Sequence, residues 1–138
     1  MPSDVVGDTG FFYALFDGND SLHAKAIEVA KTGRYAYFST MPVITETAYL
    51  LQTIRLESVL DFLGWVNKGA VQIVDLTHED LDRAIEIIEK YRDLPADFAD
   101  ASIVAVAERL KINRVATFDR DFDVYRYQNR SRFRNVLR

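Results

Sequence analysis

Apolar residues fall into short runs and helical stripes separated by polar turns. Val5 to Gly7 reads as a short buried strand, and Thr9 to Phe16 as a helix starting directly at its end. Asp20 is the expected N-cap of a second helix through about Lys31, with Gly33 as its stop. Tyr35 to Ser39 reads as a second strand. Thr40-Met41-Pro42 begins a helix that runs to about Thr53, with the proline near its first turn. Another helix covers roughly Leu56 to Asn67 and ends before Gly69. Val71 to Asp75 forms a third strand, and Thr77 caps a helix through about Tyr91. Asp97 caps a helix over Phe98 to Leu110, and Val115 to Phe118 is a fourth strand. Asp119 to Asp123 is expected as a turn and Phe133 to Val136 as a last edge strand. Strands alternating with helices predict one α/β domain over residues 1–138, with a mostly parallel central sheet flanked by helices.

Four acids interrupt the apolar runs. Asp8 closes Val5-Val6-Gly7, and Glu46 lies within Val43-Ile44-Thr45-Glu46-Thr47-Ala48. Asp100 opens a run from Ala101 to Ala107, and Asp119 ends Val115-Ala116-Thr117-Phe118. Carboxylates are rarely buried unless paired or bound to a metal. Ligands of open parallel sheets bind beyond the carboxyl ends of the strands, which is where Asp8 and Asp119 fall. The i+3, i+4 and i+7 neighbours of Asp100 are Ile103, Val104 and Ala107, so this acid sits on a stripe that faces the protein. Glu46, with Val43 and Leu50 at i−3 and i+4, borders its helix's apolar face.

Each acid also has a plainer explanation. Asp8 could cap the next helix, Glu46 could be a partly exposed helix residue, and Asp119 could shape a turn. Asp100 is hardest to explain that way, because a charged, unpaired carboxylate on an apolar stripe costs about several kcal/mol. Asp97 lies one turn before Asp100, so it is a candidate to support the cluster, although its capping position also accounts for it. Asp4, Asp121 and Asp123 read as ordinary solvated or turn residues, and His23, His78 and Trp65 as structural.

Composition narrows the chemistry. The chain has 138 residues, no cysteine, two histidines and a net charge of −4. Thiolate zinc sites, disulfides and cysteine nucleophiles are excluded, and any metal site must use oxygen ligands, which favours Mg2+ or Mn2+. Such an ion activates water, orients a phosphate and stabilises a leaving oxygen, so phosphodiester hydrolysis is the reaction that uses it fully. Thr9 and Thr117 stand beside two of the acids and are candidates to hydrogen-bond them; Ser39 and Thr40 are weaker ones. No acid follows Asp123, whereas Arg126, Arg130, Arg132, Arg134 and Arg138 do, as either a solvated tail or an RNA-binding phosphate strip. No apolar stretch approaches the roughly 18 residues that span a bilayer, and a soluble cytoplasmic protein is expected.

The ordered set Asp8-Thr9-Gly10-Phe11, Thr45-Glu46, Phe98-Ala99-Asp100-Ala101 and Ala116-Thr117-Phe118-Asp119-Arg120-Asp121-Phe122 resembles a PIN domain. Within that group it is most similar to the VapC-type toxin ribonucleases of type II toxin–antitoxin modules. The resemblance implies a PIN fold and Mg2+- or Mn2+-dependent endoribonuclease activity. It also implies a homodimer and inhibition by a small VapB-type antitoxin that fills the active-site groove. Asp8, Glu46, Asp100 and Asp119 match the family's acidic quartet, with Asp8 and Asp100 as principal metal ligands; Asp97 has no firm counterpart. A PIN nuclease of RNA processing, or a PIN module that binds without cutting, are the alternatives within the family. Asp8-Thr9-Gly10 also spells the aspartic protease signature, which the helical patterns oppose. A phospho-accepting receiver domain would need a late lysine, and none follows Lys111.

Overall fold

The computed structural model describes residues 1–138. In chain order the elements are β1 (Ser3–Gly7), α1 (Thr9–Phe16), α2 (His23–Lys31), β2 (Tyr35–Thr40), α3 (Met41–Gln52), α4 (Leu56–Trp65) and β3 (Val71–Val74). Next come α5 (His78–Lys90), α6 (Phe98–Leu110), β4 (Arg114–Ala116) and three two-residue strands, β5 (Arg126–Tyr127), β6 (Ser131–Arg132) and β7 (Arg134–Asn135). β3, β2, β1, β4 and β7 form one sheet in that order, and every neighbouring pair is parallel. β5 and β6 form a separate antiparallel hairpin. The mixed α/β architecture with a central parallel sheet and flanking helices is therefore as expected.

The register explains why the strand ends matter. Val6 pairs with Phe38 of β2 on one side and Val115 of β4 on the other. β1 is thus the middle strand, and the residue that follows it emerges between the ends of β2 and β4. Val5 and Val6 are fully buried, as a strand covered on both faces must be. The junction with α1 is tight, since a methyl group at Gly7 would approach the Phe12 ring to 2.5 Å. One core cluster, running from Val5 to Leu137, joins the sheet to the helices.

Several boundaries differ from those expected. α2 starts at His23 rather than after Asp20, whose carboxylate instead accepts from the Leu22 amide in the turn before the helix. α4 passes into a wider helical turn over Val66–Ala70, within which Gly69 takes a φ of 98°. β4 stops at Ala116, because the segment from Thr117 turns into a 3-10 turn at Arg120–Asp123. The last edge strand is shorter than expected, at Arg134–Asn135. The arginine-rich segment is not a frayed tail: it is folded as the hairpin and β7, and Arg138 pairs with Asp123 at 2.6 Å.

One ion pair, buried on its carboxylate side only, clamps α5 to α6. The Asp80 carboxylate, 4% exposed, accepts from Arg109 at 2.9 Å and also closes the capping box with Thr77. Burial pushes this carboxyl up, but hydrogen bonds from Arg109 and Thr77 outweigh it and hold it below its usual range. Arg109→Ala leaves that charge without its cation, so unfolding in urea should shift by about 2 kcal/mol to lower midpoint at unchanged slope.

Candidate active site

Asp8 performs two jobs at once. It is the N-cap of α1, accepting from the Phe11 amide at 2.9 Å, so the capping explanation holds. Its second carboxylate oxygen accepts a short hydrogen bond from the Thr117 hydroxyl. That hydroxyl also accepts from the Asp119 amide at 2.9 Å, so Thr117 ties the end of β1 to the turn after β4. Asn135 of β7 in turn donates to the Thr117 carbonyl at 2.9 Å. Thr117 thus has the supporting role expected of it. Thr9 does not: its hydroxyl is buried beside Asp8 in the chain and has no partner. Ser39 donates to the Gly7 carbonyl and Thr40 pairs with Ser102, so both brace the sheet and leave the carboxylates alone.

The helices bring the other acids over the strand ends. Asp97 caps α6 by accepting from the Asp100 amide at 2.8 Å, as its position predicted. This fixes Asp100 in the first turn, where Tyr125 donates to it at 3.2 Å. Tyr125 is fully buried between Phe122 and Tyr91, with ring centroids 4.9 and 5.1 Å away. Burial, followed by the charge of Asp100, pushes the Tyr125 hydroxyl up, which keeps it a donor. Tyr125 lies just after the acidic run Asp119 to Asp123 in sequence, but its reach to Asp100, 25 residues earlier, follows only from the fold.

Carboxylate oxygens of Asp100, Asp119 and Asp121 come within 4.8 Å of one another. Asp121 belongs to this group although its sequence read as a turn residue. The reason is local: Asp119 accepts from the Asp121 amide at 2.9 Å, and that tight turn points both carboxylates the same way. The i, i+2 repeat Asp119-Arg120-Asp121 was the available signal. Asp8 and the partly buried Glu46 stand outside the 4.8 Å group; the charge of Asp8 acts on Asp100, and that of Glu46 acts on Asp8.

The electrostatics show the strain of this gathering. Burial first, then repulsion from Asp119 and Glu46, pushes the Asp8 carboxyl up to about 7, although Thr117 and the Phe11 amide pull it down. Burial followed by Asp97, Asp8 and Asp119 pushes Asp100 up to about 8. Asp121 is raised as well, by burial and then by Asp119 and Asp97. No lysine or arginine forms an ion pair with any of these acids.

That donor set suits a hard divalent cation. All candidate ligands are carboxylate oxygens, and no ion pair within the protein neutralises their charge.

The expected RNA strip is dispersed. Arg126 spends its guanidinium on the carbonyls of Asp123, Val124 and Tyr125. Arg130 and Arg132 lie on the β5–β6 hairpin, and Arg134 opens β7 at the opposite end of the sheet from Asp8.

Residues 5–126 match the PIN domain family. The chain belongs to the PIN-domain family. This PIN domain is 28% identical to the ribonuclease VapC26 of Mycobacterium tuberculosis, over 84% of its own length and 87% of the relative's. It is also 28% identical to the ribonuclease VapC6 of Methanocaldococcus jannaschii, covering 88% and 92% of the two chains. In fold it is similar to M. tuberculosis VapC20, a sarcin-ricin loop cleaving toxin, with a TM-score of 0.80 at 21% identity over 87% and 93% of the chains. It also resembles VapBC2 from Rickettsia felis bound to a promoter DNA fragment, with a TM-score of 0.62 at 15% identity over 86% and 90%. A toxin–antitoxin complex from Klebsiella pneumoniae gives 0.60 at 15% identity, over 84% and 87%. No helix of the PIN domain is long and apolar enough to cross a membrane.

Proposed function

We propose that this PIN domain is a VapC-type endoribonuclease that hydrolyses RNA phosphodiester bonds with Mg2+ or Mn2+, acting in the cytoplasm. The convergence of Asp100, Asp119 and Asp121, with no protein cation among them, carries this reading. The similarity to VapC ribonucleases supports it.

Asp100, Asp119 and Asp121 would hold the cation, with Asp8 completing the site from the end of β1. A bound Mg2+ or Mn2+ supplies Lewis acidity to the phosphate and lowers the pKa of water. The protein's own groups set the geometry. Thr117 holds Asp8, Tyr125 holds Asp100, and the turn at Asp119 holds Asp121. The Glu46 carboxylate forms no ion pair and lies near enough to Asp8 for their charges to repel, so it would be placed to accept the proton of the attacking water. The water oxygen then bonds to phosphorus as the bond to one ribose oxygen breaks.

A protein partner fits the surface beside this site. Met41, Tyr49, Leu60, Leu63 and Phe98 are exposed on α3, α4 and α6, an apolar area that a VapB-type antitoxin would cover. Solved relatives described as a toxin–antitoxin complex and as VapBC2 support that partner. A homodimer is the second assembly this surface supports.

Incubation of the purified protein with a mixed RNA pool should give cleavage with Mg2+ or Mn2+ and none in EDTA. Undiminished cutting in EDTA, or intact RNA with either metal, would overturn the proposal. A non-cleaving PIN module would bind the pool without shortening it.

A further inference from the structure

We infer that this protein carries a second ligand site, an anion pocket for phosphate groups, at the end of the sheet opposite the acids. Arg34, Arg114, Arg134 and Arg138 line one polar concavity of about 360 Å3, together with the Met1–Ser3 segment. No aspartate or glutamate lines it. Arg34 immediately precedes β2, while Arg114 and Arg134 open β4 and β7, so the parallel strands deliver all three to one end. Asp8 lies five residues up β1 from Ser3, or about 16 Å at the rise of a strand, so this pocket is separate from the acidic site.

Charge is what makes the pocket unusual. The protein is acidic overall, at −4, yet four guanidiniums share this concavity. Arg114 and Arg134 are partners in register on adjacent strands, and like charges so placed repel. Only two of the four have a partner on the protein. Arg114 donates to the Asp4 carbonyl at 3.2 Å, and Arg138 pairs with Asp123. Arg34 and Arg134 make no side-chain hydrogen bond and are exposed to the concavity. Guanidiniums bind phosphate through forked, charge-assisted hydrogen bonds, and a di-anion there would relieve the repulsion and use the free donors. The phosphates could belong to a free polyphosphate or to an RNA backbone. This site does not depend on the acidic cluster being a nuclease.

The test uses the full chain in EDTA, so that no cation bridges the probe to the acids. Pyrophosphate at about tenfold over its Kd should raise Tm by about 4 °C, whereas sulfate matched for ionic strength should raise it less. Binding should weaken about tenfold for each guanidinium lost in Arg34→Ala and Arg134→Ala, and Arg55→Ala on the α3–α4 connection should bind as the wild type does. An eight-nucleotide RNA followed by anisotropy separates the sources. Tight RNA binding that both variants weaken assigns the pocket to a strand's backbone, and binding of pyrophosphate alone assigns it to a free phosphate ligand. The pocket is refuted if neither probe binds, or if Arg55→Ala weakens binding as much as Arg34→Ala does.

Discussion

Asp100→Asn should lower RNA cleavage at least about a hundredfold while making the metal-free protein more stable at pH 8. Losing a group that merely orients a metal ligand costs roughly 10–100-fold, so losing a ligand should cost at least the upper figure. The gain in stability comes from the same side chain. Asp100 is pushed up to about 8 by burial and by Asp97, Asp8 and Asp119, so folding holds it in surroundings that oppose its charge. Asparagine removes that charge, keeps the shape and still accepts from Tyr125. A gain on the order of 1–3 kcal/mol is expected from thermal melts in EDTA. A residue serving only the fold would show the opposite stability change. If cleavage survives, or if the variant melts lower, Asp100 is not a functional acid held at a structural cost.

Acidity should govern the metal-free protein in an unusual direction. Asp8 and Asp100 have folded-state values of about 7 and about 8, both above the carboxylate range of the unfolded chain. Between about pH 4 and pH 8 the native state therefore holds more protons than the unfolded state, and stability falls as pH rises through that window. A tenfold change in proton affinity is worth about 1.4 kcal/mol, so the two groups together remove on the order of several kcal/mol. Asp80, held low by Arg109 and Thr77, works the other way and loses its contribution only in stronger acid. The metal-free melting temperature should then peak near pH 5 and drop toward pH 8. Adding Mg2+ or Mn2+ at pH 8 should restore several degrees, because a cation favours the ionised carboxylates that the empty cluster disfavours. Melts across pH, with and without metal, check both halves. A melting temperature that climbs steadily from pH 5 to pH 8 in EDTA would contradict the electrostatics derived for the cluster.

Much of this was legible in the chain because the relevant signals are local. The bounds of α1 and α6 agree with those read from Asp8 and Asp97 as caps and from the stripe below Asp100. The acids at the ends of β1 and β4 converge because those strands are neighbours, a pairing that the alternation of elements allowed but did not require. What was missed depends on geometry that periodicity does not encode. Asp121 enters the group through one tight turn, and Tyr125 reaches across 25 residues to donate to Asp100. The run of arginines after Asp123, with no acid among them, is compatible in sequence with either a solvated tail or a phosphate strip. Folding separates them, sending Arg126 to backbone carbonyls and Arg134 to the far end of the sheet.

The acids lie at positions 8, 46, 100, 119 and 121, and this wide spacing has a consequence for synthesis. A chain growing on the ribosome holds only Asp8 and Glu46 until α6 is made, and the 4.8 Å group cannot close until the turn after β4 has emerged. Fragments released early would therefore lack nuclease function even if β1 to α5 were folded. A cell making this protein meets its chemistry only once the turn after β4 has been made.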